Sequence, residues 1–506
     1  MQSTLNPLVL GVVGAGAMGR GIAQIAAQAG VRVRLFDVQA GAAANARDAV
    51  LLQWKKLQEK GRLTEAMVAD AALALEPAQS LDAFADCDIV IEAIVERLDV
   101  KRELLSALEK IVRADCVLAT NTSSLSVTAI AAGTAHPERV AGFHFFNPVP
   151  LMKVVEVISG AMTDDGTAQC LTDFAQRIGH RPVRAKDTPG FIVNHAGRGY
   201  LTEALRIVQE SAAGFTQVDE VLREAAGFRL GPFQLLDLTG LDVSHPVMES
   251  IYEQYYQEPR YRPSVITARR LSAGLLGRKS GRGFYNYESE ASAAAPPPAD
   301  AAPWSGPVWI AAGDAQARSQ VTALIERCGA ILETGALPSA DALCVVVPLG
   351  EDVSTCVARE GLDATRTIGI DTLTDCAGRL TLMTNPATAR ALAEQAKSLF
   401  SKSGQAVTLI EDSSGFIVQR VLATIVNIGC DIVQQGVCSP GDLDSAVVLG
   451  LGYPRGPLAW GDQIGPRRVL EILHNLHRTS GDPRYRPSPW LARRAQLGLS
   501  LLHVSG

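Results

Sequence analysis

One segment of this 506-residue chain occurs twice, and the duplication limits the fold more than any other feature. Residues 187–194 read DTPGFIVN and residues 412–419 read DSSGFIVQ, an offset of 225 (412 − 187). At the same offset Gly231-Pro232 returns as Gly456-Pro457, Asp237 as Asp462 and Gly240 as Gly465. Pro259-Arg-Tyr-Arg-Pro-Ser264 returns as Pro483-Arg-Tyr-Arg-Pro-Ser488, one residue out of phase but identical at six consecutive positions. Such a run at nearly constant offset marks two copies of one module of about 100 residues.

The module reads as helical. Thr188 or Ser413 suits an N-cap and Pro189 a first turn. Val193, Tyr200, Leu201, Ala204, Leu205 and Val208 then recur at helical spacing. The duplication extends upstream in worn form: Asp88-Ile-Val-Ile-Glu-Ala-Ile-Val resembles Asp341-Ala-Leu-Cys-Val-Val-Val-Pro, and residues 308–328 resemble residues 9–29 with Gly313 alone in place of three glycines. Residues 291–303, ASAAAPPPADAAP, form a Pro-stiffened linker between the copies. The expected plan is a Rossmann-type α/β domain over 1–186, an all-α domain over 187–287, the linker over 288–303, a degenerate α/β domain without its glycine loop over 304–410, and a second helical domain over 411–506.

Composition narrows the function classes. Lys+Arg number 47 and Asp+Glu 53, a net charge of −6, which argues against a generic nucleic-acid surface. Hydrophobic residues at 47 % and charged residues at 20 % support real cores and exclude disorder. The nine cysteines are scattered, odd in number and never spaced C-x-x-C, so neither a disulfide scaffold nor a metal site is expected. Reduced thiols point to a cytoplasmic setting. No membrane-spanning segment is expected, and the apolar start lacks a basic n-region, its first arginine being Arg20, so it does not read as a signal peptide.

The N-terminal unit carries a specific binding pattern. Val9–Val13 is a short apolar run suited to a buried parallel strand, followed by Gly14-Ala-Gly16-Ala-Met18-Gly19, a helical pattern, a second apolar run over 31–36 and then Asp37. Alone, G-x-G-x-x-G says little; in this strand–loop–helix–strand–acid context it is strong. Gly14 permits the tight turn, Gly16 lets backbone approach a pyrophosphate, and Gly19 lets helix pack on strand. The helix N-terminus offers free N–H groups to the phosphates. Asp37 accepts hydrogen bonds from ribose hydroxyls and repels a 2′-phosphate, which favours NAD over NADP.

A second constellation carries chemistry. Asn121-Thr-Ser123-Ser124 follows an apolar run and falls at a strand's C-terminal end, where open α/β sheets bind ligands. Two apolar runs then flank the Pro-rich turn near 148–150; folded back on each other they place His144 opposite Glu156. Each is a polar residue in an apolar strand, where an unpaired ionisable group is costly. A carboxylate beside a histidine fixes its tautomer and stabilises the imidazolium, the arrangement of a general base.

The stretches GAGAMGRGIAQ, IEAIVE, NTSSLS, GFHFFNPVPLMKVVEV and DTPGFIVN together resemble the L-3-hydroxyacyl-CoA dehydrogenase family, strongly over residues 7–287 and more weakly over 411–506. The resemblance implies NAD-dependent oxidation of an (S)-3-hydroxyacyl-CoA, with His144 as base, Glu156 its partner, Ser123 on the substrate's 3-oxygen and Asn194 orienting the substrate. It also implies cofactor contacts at Gly14, Gly16, Met18, Gly19, Asp37, Glu96, Lys101 and Asn147. A duplicated helical part without a fused hydratase domain is similar to the 3-hydroxyadipyl-CoA dehydrogenases of phenylacetate degradation, and other relatives act on 3-hydroxybutyryl-CoA. Lys55 and Lys56, with Lys60 and Arg62, form the densest basic group after the first nucleotide-binding unit, a candidate for the phosphates of coenzyme A against the simpler reading of a solvated helix face.

In the second copy Asn194 becomes Gln419, His144 falls near Asp371, and no NTSS or NPVP motif survives. Residues 304–506 are therefore expected to hold no second active site. Their helical module is expected to pair with the first within the chain, which makes a monomer sufficient and leaves a homodimer open. Two alternatives stand beside this reading: another NAD enzyme acting on a sugar or hydroxy acid, and a non-catalytic structural protein recruited from the family.

Overall fold

Strands whose every side chain is apolar need cover on both faces, and the first α/β region supplies it. The computed structural model describes residues 8–288, 301–311 and 313–504. Most of the Ala/Pro linker falls on 289–300, outside the described residues. By internal contacts the chain forms two compact units: Met1–His195 with Gln435–Leu451, and Ala196–Gln434 with Gly452–Gly506.

The first unit is built on β1 (Val9–Val13), β2 (Arg32–Phe36), β3 (Leu75–Pro77), β4 (Ile89–Glu92), β5 (Val117–Thr120), β6 (Val140–Phe145), β7 (Val154–Ser159) and β8 (Arg181–Lys186). Their spatial order is β3-β2-β1-β4-β5-β6-β7-β8, parallel throughout except for the β6–β7 pair. The chain reverses strand order beside β1, the switch point at which such sheets bind nucleotides. Leu10, Val12, Ile89 and Ile91 face one core with Ile22 and Ala26 of the helix Ala17–Gln28; Val13, Val90 and Leu118 face another with Leu105 and Leu108. Side chains alternate between the two cores along each strand, as period-two geometry requires.

The second unit contains β9 (Val308–Ile310), β10 (Leu332–Glu333), β11 (Leu343–Val346), β12 (Thr367–Ile370), β13 (Leu380–Met383) and β14 (Val407–Ile410) in the order β10-β9-β11-β12-β13-β14, with β12–β13 antiparallel. This is a second α/β copy two strands shorter than the first. The match of Asp341 onward with Asp88 is corrected by its neighbours. The Val353 N–H and the Ser354 hydroxyl, just after β11, bind Asp412, as the Val127 and Thr128 N–H groups, just after β5, bind Asp187. The strand β11 thus stands where β5 stands, and among the described residues the second copy has no counterparts of β3, of β4 or of the helix Leu98–Glu109. Two runs of alternating apolar β-strand residues are interchangeable by pattern; only their capping partners separate them.

The repeated DTPGF and DSSGF segments also differ from expectation. The helices begin at Val193 and Ile417, well past Thr188 and Ser413. The Thr188 hydroxyl makes no hydrogen bond among the described residues, and Ser413 accepts one from Arg420. The preceding aspartates do the capping, each for the helix that follows β5 or β11.

The helical modules pair within the second unit. The helix Ile417–Gln434 lies against the helix Arg198–Gln209, with Gly199 close enough for an added Cβ to meet Ile425 backbone at 3.3 Å. Buried Arg420 donates to Glu203 at 2.7 Å, to Glu210 at 2.7 Å and to the Tyr485 hydroxyl at 3.0 Å. The Arg260 guanidinium pairs with Asp431 and bonds the Arg486 carbonyl, so the repeated PRYRPS segments meet at the join. Helix 417–434 is long and apolar enough to cross a membrane, yet nine-tenths of it is buried among these helices.

Candidate active site

Every expected catalytic residue lies in the first unit. The antiparallel pair β6–β7 sets His144 directly across from Glu156. His144 Nδ1 and Glu156 Oε2 are 2.6 Å apart, with the histidine 5 % exposed and the glutamate fully buried. The other carboxylate oxygen accepts the backbone N–H groups of Ile192 and Val193, both at 2.9 Å. Glu156 is thereby clamped between the ring and the turn that opens the helical module. A ring N–H given to the carboxylate leaves Nε2 as a proton acceptor, and Nε2 has no hydrogen-bond partner among the described residues. Phe146 and Phe191 flank the ring, at 4.5 and 5.9 Å between centroids, and shield it from water.

Ser123 and Asn194 meet at the same place. The Asn194 side-chain amide donates to the Ser123 carbonyl at 3.3 Å, joining the loop after β5 to the first turn after Val193. Asn121 Oδ1 accepts the Phe145 N–H at 2.8 Å and so ties that loop to the strand carrying His144. Three groups of hydrogen bonds therefore gather His144, Glu156, Ser123 and Asn194 from segments far apart in sequence.

The Ser123 loop is held from below by a network that sequence reasoning only half found. Glu96 Oε1 accepts from the Thr122 hydroxyl at 2.7 Å, the Ser123 N–H at 2.8 Å and the Ser124 N–H at 3.0 Å, with the Ser123 hydroxyl at 3.3 Å. Burial pushes the Glu96 carboxyl up, but the Lys101 ammonium and these donors outweigh it and hold it below the usual carboxylate range. Lys101 is 1 % exposed and pairs with Glu92 at 2.9 Å and Glu96 at 3.3 Å. A direct cofactor contact was expected of Lys101; its buried ammonium instead bridges two carboxylates beneath the loop. Glu92, fully buried at the end of β4 and bonded by the Thr120 hydroxyl, is a member of this network that the motifs do not single out. An acidic residue ending an otherwise apolar strand was the signal available.

The glycine loop has the geometry the dinucleotide reading requires. Gly14 sits at φ +103°, where a side chain is strained, and an added Cβ would lie 2.5 Å from the Ala93 carbonyl. A Cβ at Gly19 would lie 1.8 Å from the Gly14 carbonyl, so helix and loop close only around glycine. Gly16 is exposed and meets nothing within 4 Å, leaving backbone free for a phosphate. Asp37 Oδ2 accepts the Ala15 N–H at 2.7 Å and thereby braces the loop from the end of β2. Met18 is half-buried at the helix start and Asn147 is exposed just beyond β6. Lys55 and Lys56 lie exposed on the helix Ala42–Glu59, with Lys60 and Arg62 exposed beyond its end.

The equivalent place in the second copy is filled. In register terms Asp371 follows β12 as His144 lies in β6, and its N–H bonds the Thr381 carbonyl where Glu156 would stand. Gln419, standing for Asn194, donates to the Pro348 carbonyl at 3.1 Å and to Asp371 at 2.9 Å and accepts from the Gly350 N–H at 2.8 Å. Asn475 closes the same loop through the Leu349 carbonyl at 2.8 Å. No histidine–carboxylate pair stands there among the described residues, and the longer glutamine side chain reaches Asp371.

Known proteins share this arrangement. Residues 9–188 match the 3-hydroxyacyl-CoA dehydrogenase NAD binding domain, and residues 190–287 and 415–500 each fall in matches to the C-terminal domain of the same family. A 3-hydroxyadipyl-CoA dehydrogenase of Escherichia coli (strain K12) is 36 % identical over 493 residues, 97 % of this chain and 98 % of that protein. A probable 3-hydroxybutyryl-CoA dehydrogenase of Deinococcus radiodurans is 41 % identical over 278 residues, 55 % of this chain and 99 % of its own. The solved structure of a 3-hydroxybutyryl-CoA dehydrogenase from Escherichia coli K12 superimposes with a TM-score of 0.84 at 35 % identity, covering 97 % of this chain and 99 % of that one. The glycine loop, the His144–Glu156 pair and two helical modules thus fall within matches spanning nearly the whole chain, and the protein belongs to the 3-hydroxyacyl-CoA dehydrogenase family as an NAD-dependent dehydrogenase.

Proposed function

We propose that the chain oxidises an (S)-3-hydroxyacyl-CoA, with 3-hydroxyadipyl-CoA as its preferred substrate, and that His144 is the general base. The observation that carries this is the 2.6 Å contact between His144 and a Glu156 held by two backbone N–H groups. Glu156 fixes the imidazole with Nε2 toward the cleft, and Nε2 takes the 3-hydroxyl proton as the carbinol C–H bond breaks. The buried carboxylate then stabilises the imidazolium. The Ser123 hydroxyl bonds the 3-oxygen, and the Asn194 amide orients the acyl carbonyl. Gly14, Gly16, Met18, Gly19 and Asp37 hold the dinucleotide, Asn147 adds an exposed contact, and Glu96, braced by Lys101, shapes the loop beside it. NAD, when bound, supplies the hydride acceptor. Lys55 and Lys56 meet the phosphates of coenzyme A.

The hydroxyadipyl chain follows from the 3-hydroxyadipyl-CoA dehydrogenase that matches over almost the full length. 3-Hydroxybutyryl-CoA is the second reading, favoured by the solved structure of that name. A cytoplasmic location is part of the proposal and is supported by nine cysteines that are all free. Two measurements test it. The kcat/KM for hydroxyadipyl-CoA should exceed that for hydroxybutyryl-CoA; the reverse order reassigns the acyl chain. His144→Ala should lose about 10²–10⁴-fold in kcat while still binding NAD, and full retained activity removes His144 from the base role.

A further inference from the structure

The first unit, which holds the dyad, also contains a piece of the second helical copy, residues Gln435–Leu451. The Val437 carbonyl accepts the Lys186 N–H at the end of β8, at 2.8 Å. The helix Pro440–Leu451 then runs over β7 and β8. Cys438 lies close enough to Glu156 that, after burial and beside Asp442, the glutamate's charge helps push its thiol above the ordinary value.

Gly450, in the last turn of that helix, meets residues that hold and carry Glu156. A Cβ added there would lie 3.1 and 3.3 Å from the two methyls of Val193 and 3.5 Å from a Val154 methyl. Val193 is 1 % exposed, and its own N–H is one of the two donors that hold Glu156. Val154 begins β7, the strand that carries Glu156. A glycine inside a helix is destabilising relative to alanine, so its presence needs a reason, and a close approach is one. The first copy, at the same offset, has alanine: Ala225 (450 − 225) stands in the segment that meets the second sheet, where there is no histidine–glutamate pair.

We infer that Gly450 is a positioning residue for catalysis: by leaving room for Val193, the second copy sets the N–H that seats Glu156 and through it the His144 ring. This rests on the dyad reading above. The chain from Gly450 runs through one side chain, one backbone donor and one carboxylate, all buried. Displacement of a few tenths of an ångström at Val193 passes to the dyad because nothing between them is mobile or solvated.

Alanine and valine at Gly450 test this. Gly450→Ala should leave the melting temperature equal or higher, through helix propensity, yet lower kcat about two- to threefold; Gly450→Val should lower kcat about tenfold. KM for NAD and for the acyl-CoA should stay within about twofold in both. In a Val193→Ala background, which makes room for the added methyls, the same changes at Gly450 should no longer lower kcat. Gly441→Ala, on the exposed start of the same helix with nothing within 4 Å, should change nothing. Folded Gly450 variants with wild-type kcat overturn the inference, and so does an equal loss in both backgrounds, which would mark a purely structural role. His144→Gln is assayed alongside: if it retains wild-type kcat, the dyad reading and this inference fall together, whereas its loss with unaltered Gly450 variants defeats the inference alone.

Discussion

The two α/β copies of this chain solve one packing problem, one with a histidine–glutamate pair in its cleft and one without. Each contains one antiparallel strand pair followed by a last strand parallel to its neighbour, and each has an Asp–x–x–Gly–Phe turn whose aspartate caps a helix. Each also receives the helical segment of the other copy on its last strand. Lys186 bonds the Val437 carbonyl at 2.8 Å, and Glu411 bonds the Ala212 carbonyl at 2.9 Å, the same contact with the copies exchanged. What differs is the pair in the cleft: His144 and Glu156 in one, Asp371 and Thr381 in the other. His144, Glu156 and the β4 network of Glu92, Glu96 and Lys101 make neither of these two hydrogen bonds, and the second copy has no equivalents of them among the described residues.

The sharpest way to break this comparison is to change each copy's central residue under one assay. His144→Ala should abolish most turnover, while Asp371→Asn, buried in the filled site, should leave kcat within about twofold. A large kcat loss in Asp371→Asn would show that the second copy takes part in the reaction. Next in size is Arg420, whose guanidinium joins the two helical modules through Glu203, Glu210 and Tyr485. Arg420→Ala removes the nearest cation from the fully buried Glu203, which keeps only the Tyr485 hydroxyl at 2.9 Å and the Arg484 guanidinium at 3.8 Å, and should cost about 3 kcal/mol in denaturant unfolding. A cost under about 1 kcal/mol would mean that apolar packing alone holds the modules together.

A smaller, pH-dependent effect distinguishes the filled site. Burial pushes the Asp371 carboxyl up to about 6, only partly countered by the Leu373 N–H and the Gln419 amide. An unfolded aspartate titrates near ~4, so between there and about 6 the folded chain holds the extra proton. Stability therefore falls as pH rises through that window and stays lowered above it. Asp371→Asn should remove this part of the slope, stabilising by about 1–3 kcal/mol near neutral pH and by nothing below about pH 4. Asp219, also raised to about 6 by burial, should keep its own share of the slope. An unchanged pH profile of melting temperature would show that Asp371 is not held dry. The smallest effect belongs to the exposed lysines: reversing Lys55 and Lys56 to Glu should raise KM for acyl-CoA several-fold, about 1 kcal/mol, and leave KM for NAD alone. Loss of that effect in high salt would sharpen it; an unaltered KM at low salt would make the patch a solvated face.

Much of this was legible in residue order. The glycine loop and Asp37 lie within one β-α-β unit, so short-range spacing carries the whole pattern. His144 and Glu156 could be paired because a turn stands midway between them, and a two-stranded antiparallel register has one free parameter. The repeat at offset 225 revealed the duplication directly. Other features had no local signal. The strand matched to Asp88 proved to stand where β5 stands, since apolar strands look alike and only the Asp187 and Asp412 caps tell them apart. Lys101 reads as any lysine on an amphipathic helix, and its burial depends on Glu92 and Glu96 converging from another strand and loop.

Sequence by itself determined which atoms are available: the backbone donors of a glycine loop, one histidine, one carboxylate to orient it, and two copies of a helical module. Local spacing suffices there because each pattern is read over a few turns or one hairpin. Tertiary structure decided who supports whom. That helix 440–451 of the second copy lies over β7 and β8 of the first sheet, that Gln419 fills the spent cleft, and that a glycine at 450 stands against Val193 are outcomes of long-range packing. Close packing among buried side chains is set by contacts hundreds of residues apart, and no periodicity in the chain encodes it.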